Sequence, residues 1–295
     1  QVDARISELE KALTINSLGG EVNLINEKAG VDFVKVSDFT FDIVKEAIKY
    51  GDLSKGNFDI TIGPLVKEWG VYTDHPQIPS KQRIEELMKL IDYRTIKLDN
   101  ENKAIKLANK NQTIDLGGIG KGFAGDEAKK IYIQNNISSA FVNLGGNVVL
   151  IGTKPDGSLW NVGVQNPSAI NGKYIGTLHL RDKAIVSSGD YERYFEKDGV
   201  RYHHILDPKT GYPSQSGLMG TTIIAERSID ADGLSTSTFV LGLEEGMKLV
   251  ESLPGVEAIF ITTDKKIYTT SGLKDSFTFT DESGEYQYVQ NIQNR

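Results

Sequence analysis

Apolar residues spaced three and four apart predict a first helix through Ile6, Leu9 and Leu13. Asn16 to Asn26, NSLGGEVNLIN, reads as a glycine-bearing loop leading into a short helical turn. Ser37 has the chemistry of an N-cap for a helix through Val44, Ile48 and Tyr50. Gly51 to Gly70 reads as loop-rich, and Pro79 and Ser80 open another helix through Ile84, Leu87, Met88, Leu90 and Ile91. Two strands, Thr95–Leu98 and Ala104–Leu107, flank the turn Asp99-Asn100-Glu101-Asn102. Thr113 to Asp126, TIDLGGIGKGFAGD, reads as strand, glycine turn and helix start. The rest is mostly strand, at Ala140–Leu144, Val148–Ile151, Trp160–Val164, Tyr174–Leu180, Ala184–Val186, Tyr191–Phe195 and Gly217–Ile224. Helices are expected at Leu234–Leu241 and Glu244–Ser252, the second stopping before Pro254. Ala258–Thr262 and Lys266–Thr269 close as strands, and the polar tail after Asp281 is expected to be loose.

Helices and strands are interspersed without a clean βαβ alternation, which gives an α+β (mixed α/β) class. No linker rich in Pro, Ser or Gly cuts the chain, so residues 1–295 are taken as one domain with lobes. Its length allows a sizeable core, and 39% apolar with 25% charged residues fits a soluble globular protein. A net charge of −7 argues against a general nucleic-acid binder. No apolar run approaches the ~20 residues of a membrane span. The chain opens on an amphipathic helix pattern without a methionine or a signal peptide, so processing or trimming is expected. Zero cysteines exclude disulfides, thiolate metal sites and cysteine nucleophiles, and fit an extracytoplasmic setting.

The densest chemistry lies in Thr113–Asp126, where Asp115 precedes Gly117, Gly118, Gly120 and Gly122, with Lys121 among them. Glycines admit positive φ and close ligand approach, and a helix start attracts phosphate. The stretch fails the Walker A spacing. GKGFAG matches the dinucleotide pattern but lacks its later acidic residue. A phosphate-holding turn and a packing turn both remain open. NLGGN offers Gly145 and Gly146 as a hairpin turn or as room beside a ligand. FDITIGPLVKEWG offers Asp59 and Thr61 as a corner or as a carboxylate–hydroxyl pair. In YHHILDPKTGYP, strand alternation turns only one of His203 and His204 inward; a general base and a structural histidine are the two readings. In SIDADGLSTSTFVLG, Asp230 and Asp232 precede a helix. Asp232 and Thr236, four apart, would share a face suited to a hard ion such as Mg²⁺, or Asp232 is a cap.

Taken together, GEVNLIN, FDITIGPLVKEWG, DLGGIGKGFAGD, NLGGN, HILDPKTGYP and ADGLSTSTFVLG occur in the order seen in the ApbE family, the FAD:protein FMN transferases. The chain resembles that family from Gly20 to about Leu241, and AIVSSGDYERYF adds to the likeness. The resemblance implies a two-lobed ApbE-like fold with FAD in a cleft between lobes. It implies Mg²⁺-dependent cleavage of FAD, transfer of FMN to a threonine hydroxyl of an acceptor flavoprotein, and release of AMP. By position it implies cofactor contacts at Asn16, Glu21, Asp59, Ile60, Thr61, Asp115, Lys121, Gly145, Gly146 and Leu206. Metal ligands would be the Gly118 carbonyl, Asp232 and Thr236, with Ser235 adjacent, and the groups at the reacting phosphate would be His204 and Asp207.

The resemblance further implies work outside the cytoplasm, with membrane attachment only through a lipid anchor that this sequence does not contain. Departures are Gly120, where many members carry alanine, and the family's N-terminal Met-Gly-Thr-like strand, which is not seen before Gln1. Asn16 stands where a tyrosine is frequent, removing an aromatic that could stack on the cofactor. That departure keeps two alternatives in view: an FAD pyrophosphatase with water as nucleophile, and a non-catalytic flavin-binding protein.

Overall fold

The computed structural model describes residues 1–15, 17–169 and 172–289. In chain order the first elements are α1 (Val2–Leu13), α2 (Glu21–Glu27), β1 (Val34–Lys35), α3 (Asp38–Leu53), α4 (Gly63–Trp69), α5 (Lys81–Met88), β2 (Lys97–Asp99) and β3 (Ala104–Lys106). Then come α6 (Gly120–Gln134), β4 (Ala140–Leu144), β5 (Asn147–Ile151), β6 (Trp160–Gln165), β7 (Tyr174–Leu180), β8 (Ala184–Gly189), β9 (Tyr194–Lys197) and β10 (Val200–His203). The last are β11 (Leu218–Ala225), α7 (Ser228–Leu241), α8 (Leu243–Glu251), β12 (Glu257–Thr262), β13 (Lys266–Thr269), β14 (Phe277–Phe279) and β15 (Gln287–Val289). The class is mixed α and β, as the pattern predicts. These elements form two compact units, Gln1–Gly120 with Arg193–Ser214, and Lys121–Glu192 with Gln215–Arg295.

In the first unit, α3 buries Phe41, Val44, Ala47 and Tyr50 on one face, which is the amphipathic stripe read from the sequence. Ser37 caps it by accepting from the Thr40 N–H, a contribution of about 1 kcal/mol. A small antiparallel sheet runs β1-β3-β2. The hairpin of β9 and β10 ends on the pair Tyr194 and His203. An aromatic stack supports this hairpin: Phe195 lies 5.3 Å from Tyr202, Tyr202 lies 5.7 Å from Trp69, and Trp69 meets Tyr212 edge-on at 5.8 Å. The fully buried Trp69 donates from Nε1 to the Gly211 carbonyl at 2.9 Å.

In the second unit, a seven-stranded sheet runs β15-β13-β12-β11-β8-β5-β4. Alternation sorts its two faces. Leu150, Ile185, Ile224, Ile259 and Ile261 form a core with Leu178 and Phe277 of the three-stranded sheet β14-β7-β6. Thr221 and Ser188 point the other way and reach Ser235 of α7. Nearly every residue of α7 is buried.

Four expectations are corrected. The stretch read as loop between Gly51 and Gly70 contains α4, whose start carries Pro64 in its first turn, a favoured place for proline. β1, β10 and β14 form where the pattern predicts no strand. α7 begins at Ser228, so Asp230 and Asp232 lie inside the helix rather than before it. The tail after Asp281 is not uniformly loose: β15 pairs in parallel with β13, and the buried Tyr286 donates to Asn166 Oδ1 at 2.9 Å.

Candidate active site

The first unit gathers one set of the candidate residues. Asp115 donates its N–H to the Ile60 carbonyl at 2.7 Å, and Thr113 bridges Ile62 in parallel. The FDIT corner and the start of the glycine stretch therefore lie side by side. Asp59 Oδ1 accepts from the Thr61 N–H at 2.7 Å and its hydroxyl at 2.6 Å, and Oδ2 accepts from the Tyr93 N–H at 3.0 Å. The Thr61 hydroxyl accepts from the Asp92 N–H at 2.9 Å. Burial raises the Asp59 carboxyl above its ordinary value, against these hydrogen bonds. Asp59 and Thr61 thus lock the corner by their side chains, with Ile60 buried between them.

Glu21 is similarly engaged: its carboxylate accepts from the Ser37 N–H at 3.0 Å and hydroxyl at 2.7 Å. The Leu206 side chain joins the Trp69 core, so only its backbone is suited to a polar ligand. Asn16 lies outside the described residues.

Asp115 is half-buried and accepts from the Gly117 N–H at 2.7 Å. Burial lifts its carboxyl above the usual range. None of Gly117, Gly118, Gly120 or Gly122 takes the positive φ that their density suggests. Gly117 to Ile119 form a turn and α6 begins at Gly120.

The adjacent histidines divide as alternation requires. His203 is buried; its Nε2 donates to the Ser214 carbonyl at 2.9 Å and its Nδ1 accepts from the Ile205 N–H at 3.3 Å. Burial pushes its pKa down. His204 is half-buried, and both its N–H and its Nδ1 reach the Arg193 carbonyl, at 3.0 Å and 3.2 Å. Asp207 shapes the following turn, accepting from the Lys209 N–H at 2.8 Å through Oδ1. Its carbonyl accepts from Thr210 and Gly211.

Two side chains not singled out in the sequence join this set. Tyr72 meets His204 edge-on, with ring centroids 5.7 Å apart, and the Arg193 guanidinium lies 5.4 Å from the Tyr72 ring. Burial raises the Tyr72 phenol, and the charge of Asp115 adds to that rise. Their only sequence signal is the place of Arg193 within the AIVSSGDYERYF block.

The second unit holds the other set. Asp232 is 3% exposed, and burial raises its carboxyl despite the nearby Lys121 and the Gly122 N–H. That N–H donates to Oδ2 at 2.7 Å. Asn147 also favours the charged form of Asp232, although its buried Nδ2 stays outside good hydrogen-bond geometry with any described group. Asn147 follows the turn Gly145-Gly146, whose φ values of 58° and 98° suit glycine, and a Cβ on either would face open space. Paired positive φ values match the tight hairpin turn between β4 and β5. The Ser235 hydroxyl is held by the Asp232 carbonyl and Ser188 Oγ, at 2.9 and 2.8 Å. Thr236, one helical turn beyond Asp232, is half-buried and its hydroxyl has no hydrogen-bond partner among the described residues.

Among the described residues, no three His, Cys, Asp or Glu side chains gather to hold a metal. A cation at α7 would therefore rest on one carboxylate and neutral oxygens. A buried carboxylate with an uncommitted hydroxyl one turn away is a donor set that fits a hard divalent ion.

This fold is shared with solved flavin-transferase structures. The ApbE protein of Thermotoga maritima matches with a TM-score of 0.85 at 34% identity, covering 92% of this chain and 89% of that one. The flavin transferase ApbE of Vibrio cholerae matches with a TM-score of 0.84 at 27% identity, covering 93% and 88%. The sequence model of the ApbE family matches residues 1–260, and the chain belongs to the ApbE family. A Treponema pallidum protein named FAD:protein FMN transferase is 33% identical over 288 residues, spanning 93% of this chain and 80% of that protein. A Klebsiella pneumoniae protein of the same name is 34% identical over 284 residues, spanning 96% and 87%.

Proposed function

We propose that this protein transfers FMN from FAD to a threonine hydroxyl of an acceptor flavoprotein and releases AMP, with Mg²⁺ bound. Membership of the ApbE family over residues 1–260 carries the reading, and the relatives named as FAD:protein FMN transferases support it. The acceptor oxygen attacks the FMN-side phosphorus, the bridging P–O bond breaks, and AMP leaves with that oxygen. His204 takes the hydroxyl proton. Asp232 and Thr236 would hold the metal, and Lys121, whose charge acts on Asp232, would add positive charge there. The metal, when bound, neutralises charge on the phosphate oxygens. The raised carboxyl of Asp232 supports this role, because a cation offsets the cost of burying its charge. The protein works outside the cytoplasm; no helix among the described residues is long and apolar enough to cross a membrane.

The substitution at Asn16 favours one second reading, hydrolysis of FAD with water in place of the threonine. Incubation with FAD and Mg²⁺, with and without a threonine-bearing acceptor, separates the two by chromatography of the products. Acceptor-dependent AMP without free FMN supports transfer. Equal AMP and free FMN regardless of acceptor supports hydrolysis, and unchanged FAD would sink both.

A further inference from the structure

We infer that Tyr72 and Arg193 form a clamp that holds the His204 imidazole as the Nδ1–H tautomer, with the basic lone pair on Nε2. The inference rests on the proposed role of His204 as base, and it assigns Tyr72 and Arg193 as positioning residues. A carbonyl oxygen only accepts, so the 3.2 Å contact from His204 Nδ1 to the Arg193 carbonyl requires a proton on Nδ1. In the neutral ring the lone pair is then on Nε2. The same carbonyl accepts the His204 backbone N–H at 3.0 Å, which fixes the residue at both its backbone and its ring.

Tyr72 makes a second contact to the ring. Its ring lies 5.7 Å from the imidazole at 71°, an edge-to-face contact. Such a contact restrains ring rotation without taking a nitrogen. Arg193 in turn lies over the Tyr72 ring at 5.4 Å. Arg193 therefore acts twice, through its carbonyl on His204 and through its guanidinium on Tyr72. Beneath, the buried Trp69 stack holds the hairpin from which Arg193 and His204 emerge. His203 supplies a contrast one residue away. Its Nε2 donates to the Ser214 carbonyl and its Nδ1 accepts from Ile205. The neighbouring rings are thus held in opposite tautomers.

The test is nitrogen NMR of the full chain labelled with ¹⁵N-histidine, without FAD, in the wild type, Tyr72→Phe and Tyr72→Ala. The wild type and Tyr72→Phe should show His204 as Nδ1–H and His203 as Nε2–H. Tyr72→Ala should show mixed tautomers at His204 with His203 unchanged. In turnover with FAD and acceptor, Tyr72→Ala should lower kcat by about tenfold or more with little change in KM for FAD, while Tyr72→Phe stays near wild type. A wild-type His204 in the Nε2–H form overturns the clamp. So does Tyr72→Ala with an unchanged His204 signal. Absence of flavin transfer by the wild type contradicts the proposed function and leaves the tautomer measurement to judge the clamp alone. If Tyr72→Ala also disturbs His203, the hairpin has been lost and Tyr72→Leu, which keeps bulk without the aromatic edge, replaces it with the same expected mixture.

Discussion

The Gly122 N–H donates to Asp232 Oδ2 at 2.7 Å, and the same glycine lets α6 lie directly against α7. A Cβ at Gly122 would sit 2.5 Å from the Ser228 carbonyl oxygen and 2.6 Å from Asp232 Cβ. Neither neighbour is the far end of a flexible chain. Gly122→Ala should therefore destabilise the protein by about 1–3 kcal/mol through overpacking, measured by guanidinium denaturation. Stability equal to wild type would contradict the close approach.

Asp232→Asn preserves the shape at the same point and removes the charge. It should lower Mg²⁺-dependent turnover of FAD by ~10²-fold or more, since metal stabilisation of transition-state charge amounts to several kcal/mol. Titration calorimetry should show weakened Mg²⁺ binding. Unaltered turnover at matched Mg²⁺ would remove Asp232 from the metal assignment.

His203 sets a pH dependence of stability. Burial lowers its pKa from the ordinary 6.5, so between the folded value and about 6.5 the unfolded chain binds more protons. Its contribution is present above about pH 6.5 and is lost as pH falls through the folded value. The unfolding free energy of the wild type should drop as pH falls below about 6.5, and the drop should shrink in His203→Gln. An undiminished drop in that variant would assign the effect elsewhere.

Trp69 should matter more to the hairpin than its distance in sequence suggests. Trp69→Phe keeps an aromatic in the stack but removes the Nε1 bond to the Gly211 carbonyl. The expected cost is about 1–3 kcal/mol, for a lost buried partner and a smaller ring. A thermal melt reads it, and a shift near zero would show the bond to be dispensable.

Much of the fold was legible because its signals are local. The α3 stripe with its Ser37 cap, the Gly145-Gly146 hairpin and the alternation at His203 and His204 each arise from neighbouring residues. What failed depends on distant partners. α7 starts six residues earlier than the apolar pattern suggests because the Asp126 carboxylate accepts from the Ser228 and Ile229 N–H groups. β15 pairs with the distant β13, and Tyr286 just before it is tied to Asn166. The glycines between Gly117 and Gly122 suggested positive φ, but at Gly122 the requirement is packing against α7. The family resemblance implies ligand contacts at Glu21, Asp59 and Thr61. The sequence could not show that Ser37, Tyr93 and Asp92 already engage them.

The central claim is covalent transfer of flavin, and intact-mass measurement of the acceptor tests it most directly. After incubation with FAD and Mg²⁺, the acceptor should gain the mass of one FMN less one water, retained through denaturation. The gain should vanish with Asp232→Asn enzyme or when the acceptor threonine is replaced by valine. An unmodified acceptor, alongside FAD converted to free FMN and AMP, would contradict the account.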